Sequence, residues 1–390
     1  MASYISSNAN RFYTALESTF GAVDSITAAN RIPAVKLAIR QQLDGGTRQD
    51  KTGSRTFGGV PAGMRRRTDF DLQTYLTSWN KAAAALGYGP LFQSALGAAP
   101  QHFAGGTVAS ATADGRVGFG TAHGLAAGQG VTSGGEVRFV AAIVDANTVQ
   151  LNAAFSTLPT AGSVMGATVT YQPATQPPSV SVFDYWSPST AVQRVLQGAS
   201  VDQLEISINS DFHQFRFTGL ATDVLDSASF SGPVGNLQTF PPEPVLDAFD
   251  YTIVPGHLGQ AWLGVSPTRF CTITGGSVVV KNQLTARSKE FGSCGAKAFA
   301  PGVREVTAAF ELYSTDDASM TELYQAARQG SPISVMFQLG QVESQVVGVY
   351  LKSVVPEVPE FDDSDNRLQW KFRASRAQGT IDDEISVAFG

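Results

Sequence analysis

The stretch APGVREVTAAFELYSTDD, residues 300–317, decides the fold. Val306, Ala308, Phe310 and Leu312 alternate with Thr307, Ala309 and Glu311, the period of a strand with one buried face. A second stretch, GGVPAGMRRRTDFDLQTYLTS at 58–78, follows the same plan: Thr68, Phe70, Leu72 and Thr74 alternate with Asp69, Asp71 and Gln73. Setting Pro61 against Pro301 places Phe70 opposite Phe310, Asp71 opposite Glu311 and Leu72 opposite Leu312, an offset of 240 residues. Two such strands in one register predict a duplicated domain.

Working outward, LFQSALG ending at Gly97 aligns with SVMFQLG ending at Gly340, so the offset barely drifts. Farther on, LQGASVDQL with Gly198 aligns with VVGVYLKSV with Gly348, and FRFTG from Phe215 with WKFRA from Trp370; the offset is now 150 to 155. The drop of roughly 85 residues predicts a guest segment in the first copy. Between Gly106 and Tyr171, short Thr/Val/Ala runs alternate with Gly-rich turns, and TYQPATQPPSV leads out through prolines, as expected of a small all-β domain, Ig-like or similar. The expected organisation is a first copy at 1–104 and 176–230, split by the insert at 105–175, a Pro-rich linker at 231–261, and a second copy at 262–390. That linker is expected to run extended over a neighbouring molecule.

The fold class is therefore mainly β: two tandem β-sandwich or partial-barrel domains, each with a short helix, plus the inserted domain. The helices are expected at Ser78–Leu86 and at Ala318–Arg328, where Met320, Leu323, Tyr324 and Ala327 share one face. Charged residues make up 15% and hydrophobic ones 43%, a balance that favours strands and tight turns. A net charge of −6 argues against a chain that grips nucleic acid. The sparse charge suits a surface covered by copies of itself. MASYISSNANR lacks the basic and apolar regions of a secretion signal, and the apolar stretch Phe139–Phe155 is too polar to cross a bilayer, so no membrane binding is expected.

No catalytic residue, metal ligand or cofactor site is expected. His102, His123, His213 and His257 lie in unrelated segments without ligand spacing, and GRVGFGTAHG lacks the Lys and following helix of a phosphate loop. Cys271 and Cys294 lack metal or redox spacing and are expected as free thiols. The acidic pairs at 69/71, 316/317, 362/363 and 382/383 read as solvated positions, since adjacent acids on a strand point apart. Arg65, Arg66 and Arg67, followed by two acids, read as a charge-balanced contact with a neighbouring subunit.

The order of elements in the second half is a strand, a long polar loop, APGVREVTAAFELY, the acidic turn STDD, the amphipathic MTELYQAA and paired strands GVYLKS and LQWKFRA. It resembles the tail tube proteins of long-tailed, siphophage-like bacteriophages. The likeness runs from about Gly275 to the C-terminus and, more loosely, over Ile32–Gly97 and Ala191–Asp226. It implies a ring of six tube domains joined into one barrel around the DNA channel, with helices outside and rings stacked into a virion tail tube. Two domains per chain then imply a homotrimer. The resemblance also implies that Asp69, Asp71, Gln73, Glu305, Thr307 and Glu311 face the lumen, where acidic and neutral groups let DNA pass. The loops Asp44–Ala62 and Thr285–Ala300, with Arg65–Arg67, Arg287, Lys289 and Glu290, contact the next ring. The insert projects from the outer surface. Implied partners are the tape measure, tail terminator and distal tail proteins, with assembly in the host cytoplasm. A distal tail or baseplate ring protein and a surface or carbohydrate-binding β protein are the competing readings; an enzyme is third.

Overall fold

A computed structural model describes residues 4–44, 50–51, 53–59, 65–79, 86–209, 211–245 and 251–390. Eight strands form the broad layer that carries the sequence candidates: β1 (Ala34–Asp44), β2 (Arg65–Tyr75), β3 (Arg194–Ile208), β4 (Gln214–Ala221), β5 (Ile273–Lys281), β6 (Glu305–Tyr313), β7 (Glu360–Asp362) and β8 (Gln369–Ala377). They pair antiparallel throughout, in the order β1-β2-β4-β3-β5-β6-β8-β7. The register sets Leu72 opposite Phe217 and Phe70 opposite Gly219; in the second half it sets Leu312 opposite Trp370 and Phe310 opposite Phe372.

One face of this sheet is apolar because every second residue of β2 and β6 is: Phe70, Leu72, Phe310 and Leu312 are buried. Behind them lies a second layer in which Val347–Val355 pairs with Ile333–Leu339 and with Ser386–Phe389, and Asn10–Leu16 pairs with Val180–Trp186. Helix α1 (Gly89–Leu96) is sealed between the layers. Its Phe92 ring lies 5.0 Å from Phe215, 5.3 Å from Phe217 and 5.2 Å from Phe389, measured between centroids.

Helix α2 (Ala318–Gln329) has both stop signals written in sequence. The Met320 N–H donates to the Asp317 carboxylate at 2.9 Å, and Gly330 ends the helix at φ 64°. Of the expected face, Met320, Leu323 and Ala327 are buried and Tyr324 is half-buried, and Ala326 is buried beside them. The first expected helix, Ser78–Leu86, falls largely outside the described residues; Ser78 and Trp79 are not helical. The helix of that half is α1, which contains LFQSALG, whereas SVMFQLG is a strand. The two segments matched in sequence because each is an apolar run closed by a glycine: Gly97 has φ 113° and Gly340 φ 84°. Pro90 at the start of α1 favours the helix, and burial on all sides removes the periodicity that would separate the two forms.

The segment expected as an insert forms a six-stranded sheet between Gly106 and Met165 around its own core of Val108, Phe119, Val131, Val149 and Phe155. It also grips the second half. Val137 and Phe139 pack with Trp262, Met336 and Tyr350, and its exit strand Thr168–Tyr171 pairs with Ser386–Phe389. The Pro-rich segment differs from expectation. Phe230, Val234, Leu237 and Phe240 lie against Tyr13, Phe183, Tyr185 and Leu225 of the same chain, and the Tyr185 hydroxyl donates to the Pro241 carbonyl at 3.1 Å. Apolar residues spaced along that stretch give it a docking edge on its own chain; residues 246–250 lie outside the described ones.

Candidate functional site

All six sequence candidates for a lining surface stand on the polar face of the eight-stranded sheet. The registers carry that face across the strands: Asp71 lies opposite Thr218, Thr218 opposite Gln203, Gln203 opposite Lys281 and Lys281 opposite Glu305. A parallel row runs Gln73, Arg216, Glu205, Val279 and Thr307, and a third joins Glu311 to Lys371 and Glu360. Asp69 stands opposite Arg40.

The expectation of an acidic surface is corrected by its neighbours. Lys36, Arg40, Arg67, Arg216, Lys281, Lys371, Arg373 and Arg376 share the face with Asp69, Asp71, Glu205, Glu305, Glu311, Glu360 and Asp362, so the two signs come close to balance. Arg216 grips Asp71 with two hydrogen bonds, 3.0 and 2.8 Å, and reaches Glu205 at 3.8 Å. Arg67 pairs with Asp69 at 3.1 Å, and Arg373 with Glu360 at 3.2 Å and Glu311 at 3.5 Å. A hydrogen bond from the Lys371 ammonium, 2.5 Å long, holds the Asp362 carboxyl far below the usual carboxylate range. Exposed pairs of this kind contribute little stability because solvent screens them; their effect is to neutralise the surface. The cations were legible in principle: with Phe215, Phe217, Trp370 and Phe372 pointing inward, Arg216, Lys371 and Arg373 must point the other way.

The sheet has two ends. At one, the β1–β2 and β5–β6 connections emerge; residues 45–49, 52 and 60–64 of the first, Pro61 and Ala62 among them, lie outside the described residues. The six candidates for ring contact gather here. Arg65 Nη2 donates to the Lys289 carbonyl at 3.2 Å, and the Arg66 N–H to the Cys294 carbonyl at 2.7 Å. Arg66 also pairs with Asp223 at 2.9 Å, and Arg287 with Glu290 at 2.7 Å. A cleft of about 590 Å³ lies among them, lined by Leu43, Arg65, Leu284 and Phe299. At the other end are the short turn between β3 and β4, the acidic turn after β6 and the β7–β8 turn.

Among the described residues no three His, Cys, Asp or Glu side chains come together to hold a metal, and no helix is long and apolar enough to cross a membrane. Cys271 and Cys294 are both exposed and unpaired.

A broad antiparallel sheet with one apolar and one polar, mixed-charge face and a loop-bearing end defines a β-rich protein. The chain matches the phage tail tube protein family over residues 7–389 and belongs to it. Among solved structures, that of the SPP1 tail tube, determined by solid-state NMR and cryo-electron microscopy, is similar. It shares 14% identity, covers 33% of this chain and 81% of that one, and has a TM-score of 0.27. Comparison with curated proteins finds no match. The protein is thus a structural component of a bacteriophage virion tail.

Proposed function

We propose that three copies of this chain close into a pseudo-six-fold ring and that rings stack into the tube through which the phage genome leaves the virion. The observation that carries this reading is the state of the sheet's edges. Among the described residues β1 pairs only with β2, and β7 only with β8, so a single chain ends in two strands that each offer an unused edge. Within the chain, the quartet β1-β2-β4-β3 is joined to the quartet β5-β6-β8-β7 through the β3–β5 seam, where Gln203 to Ile208 lie opposite Lys281 to Gly276. Each quartet contains a hairpin with a long connection, which supports reading them as two copies of one domain. A β7 edge that receives the β1 edge of the next chain repeats the internal seam. Two quartets per chain then need three chains to complete six. Closure removes the exposed edges that otherwise recruit strands without limit.

On this reading the charge-balanced face lines the channel. Paired, neutralised side chains give DNA no cluster of free cations to bind, so the polymer slides instead of sticking. Other tail proteins, the tape measure, terminator and distal tail protein among them, meet the tube at its ends and interior, and assembly takes place in the host cytoplasm. Negative-stain microscopy of the purified protein tests the proposal. Three-fold rings with a central hole, or tubes built from them, are expected. A single ring that never elongates favours a distal tail component, and a monomer that persists at every concentration overturns the proposal.

A further inference from the structure

After the Pro-rich segment the chain enters its second half through residues 251–258, and the first half clamps this stretch in place. Thr77 forms a β-bridge with Ile253, and Phe212 forms another with Pro255. The Val254 N–H donates to the Leu76 carbonyl at 3.0 Å, the Gly256 N–H to the Asp211 carbonyl at 3.1 Å, and the Leu76 N–H to the His213 carbonyl at 2.9 Å. At the centre of the clamp sits the His213 side chain, 1% exposed, with Nε2 at 2.8 Å from the Leu258 carbonyl oxygen. A carbonyl only accepts, so Nε2 carries the proton of the neutral ring and Nδ1 is left as a lone pair. That Nδ1 is buried and has no hydrogen-bond partner.

A second proton must therefore enter on Nδ1 and place a charge inside the clamp. The groups around it do not compensate. Asp211, the carboxylate of the β3–β4 turn, is exposed, and it is its backbone that joins the clamp. His257 of the clamped segment, Arg269 of the neighbouring strand and Cys271 line a cleft of about 260 Å³ together with His213, and Tyr75 at the end of β2 packs on Phe212. Burial pushes the His213 pKa below its ordinary 6.5; the Leu258 and Ser207 carbonyls oppose this without overcoming it, and His257 adds to it. The stability that neutral His213 contributes is thus complete above 6.5 and is lost as pH falls below that value.

We propose that His213 is a proton-operated latch: neutral, it locks residues 251–258 onto the end of β2 and the β3–β4 turn, and protonated, it releases them. The joint between the two halves of the chain then loosens in mild acid while the buried layers stay closed. The latch belongs to a single chain and holds whether or not rings form.

Hydrogen exchange of the full-length protein, followed by mass spectrometry from about pH 7.5 to about pH 5 and corrected for the intrinsic pH dependence of amide exchange, tests this. Opening at Leu76, Val254 and Gly256 is expected to rise about fivefold or more over that range, with a ceiling of about thirtyfold set by a released histidine of ordinary pKa. Protection of β6 is expected to stay constant. His213→Gln keeps a side-chain N–H for the Leu258 carbonyl but takes up no proton, so its protection should be flat; His257→Gln should retain the response. Exchange of the imidazole C2 hydrogen in the wild type reads the His213 midpoint directly and is expected to place it below 6.5. A flat wild type, a loss shared equally by β6, a response that survives His213→Gln, or a midpoint at or above 6.5 overturns the proposal.

Discussion

The guanidinium carbon of Arg138 lies 3.8 Å from the centre of the Trp262 ring, joining the six-stranded sheet to the second half of the chain. Arg138 is wholly buried; its Nε donates to the Ala154 carbonyl at 3.0 Å, one Nη to the Val137 carbonyl at 2.7 Å and the other to Glu136 at 2.8 Å. Burial pushes its pKa down to about 10, with Glu136 opposing, so it stays charged at neutral pH. Replacing it by Met leaves two carbonyls and a carboxylate without their donor. The expected loss is about 3–5 kcal/mol, read by urea unfolding. Arg138→Lys keeps the charge but not the planar fork and should recover only part of the loss. A loss below about 1 kcal/mol for the Met variant is incompatible with this anchoring role.

Phe92 on α1 touches aromatic rings from β4 and from the C-terminal strand at once. Phe92→Ala should cost about 3–5 kcal/mol, because a site enclosed by two sheets cannot collapse around the cavity. Phe92→Leu should cost less, since more of the volume is kept. Equilibrium denaturation separates the two; equal losses for both variants contradict a packing role.

The ends of α2 are testable one at a time. Asp317→Ala removes the acceptor for the Met320 N–H and should cost about 1 kcal/mol. At Gly330 an added Cβ meets nothing within 4 Å, so Gly330→Ala isolates the strain of φ 64° and should also cost about 1 kcal/mol. Thermal melts of both variants check this; a neutral Gly330→Ala contradicts the left-handed cap.

What the sequence made legible follows from period. The alternation in β2 and β6 could be read because one face is buried and the other is not, and α2 because its cap residues and apolar stripe agree. The α1 segment could not, since a short, mostly buried helix and a buried strand both read as short, mainly apolar runs without a clear period. Charge balance on the polar face was hidden for another reason: Arg216 and its partner Asp71 are 145 residues apart, a distance that local pattern does not bridge. The Pro-rich segment reads as extended from composition alone, but where it lies depends on Glu243 meeting Arg11, 232 residues away.

That last contact gives a pH prediction. Glu243 accepts from Arg11 Nε at 2.5 Å and Nη2 at 2.7 Å, and from the Tyr13 hydroxyl at 2.9 Å. Partial burial raises the Glu243 pKa, but the hydrogen bonds from Arg11 and Tyr13 outweigh it and hold the carboxyl below its ordinary 4.5. A carboxylate depressed in the folded state stabilises it above its unfolded pKa, and that stability fades as pH falls through the folded value. Tyr13 is pushed up to about 12, by burial first and by Glu243 second, so its contribution is complete below 10 and fades as pH rises toward 12. Protection of residues 230–243 against hydrogen exchange should therefore be flat from pH 5 to 9 and fall on either side, faster on the acid side than for strands buried elsewhere. Glu243→Gln keeps one acceptor but loses the charge-assisted pair. In that variant, protection should be weaker at pH 7 by about 1 kcal/mol, the scale of a partly exposed ion pair, and should no longer respond to acid below 4.5 until the whole fold does. An acid response unchanged by Glu243→Gln assigns the titration to another group.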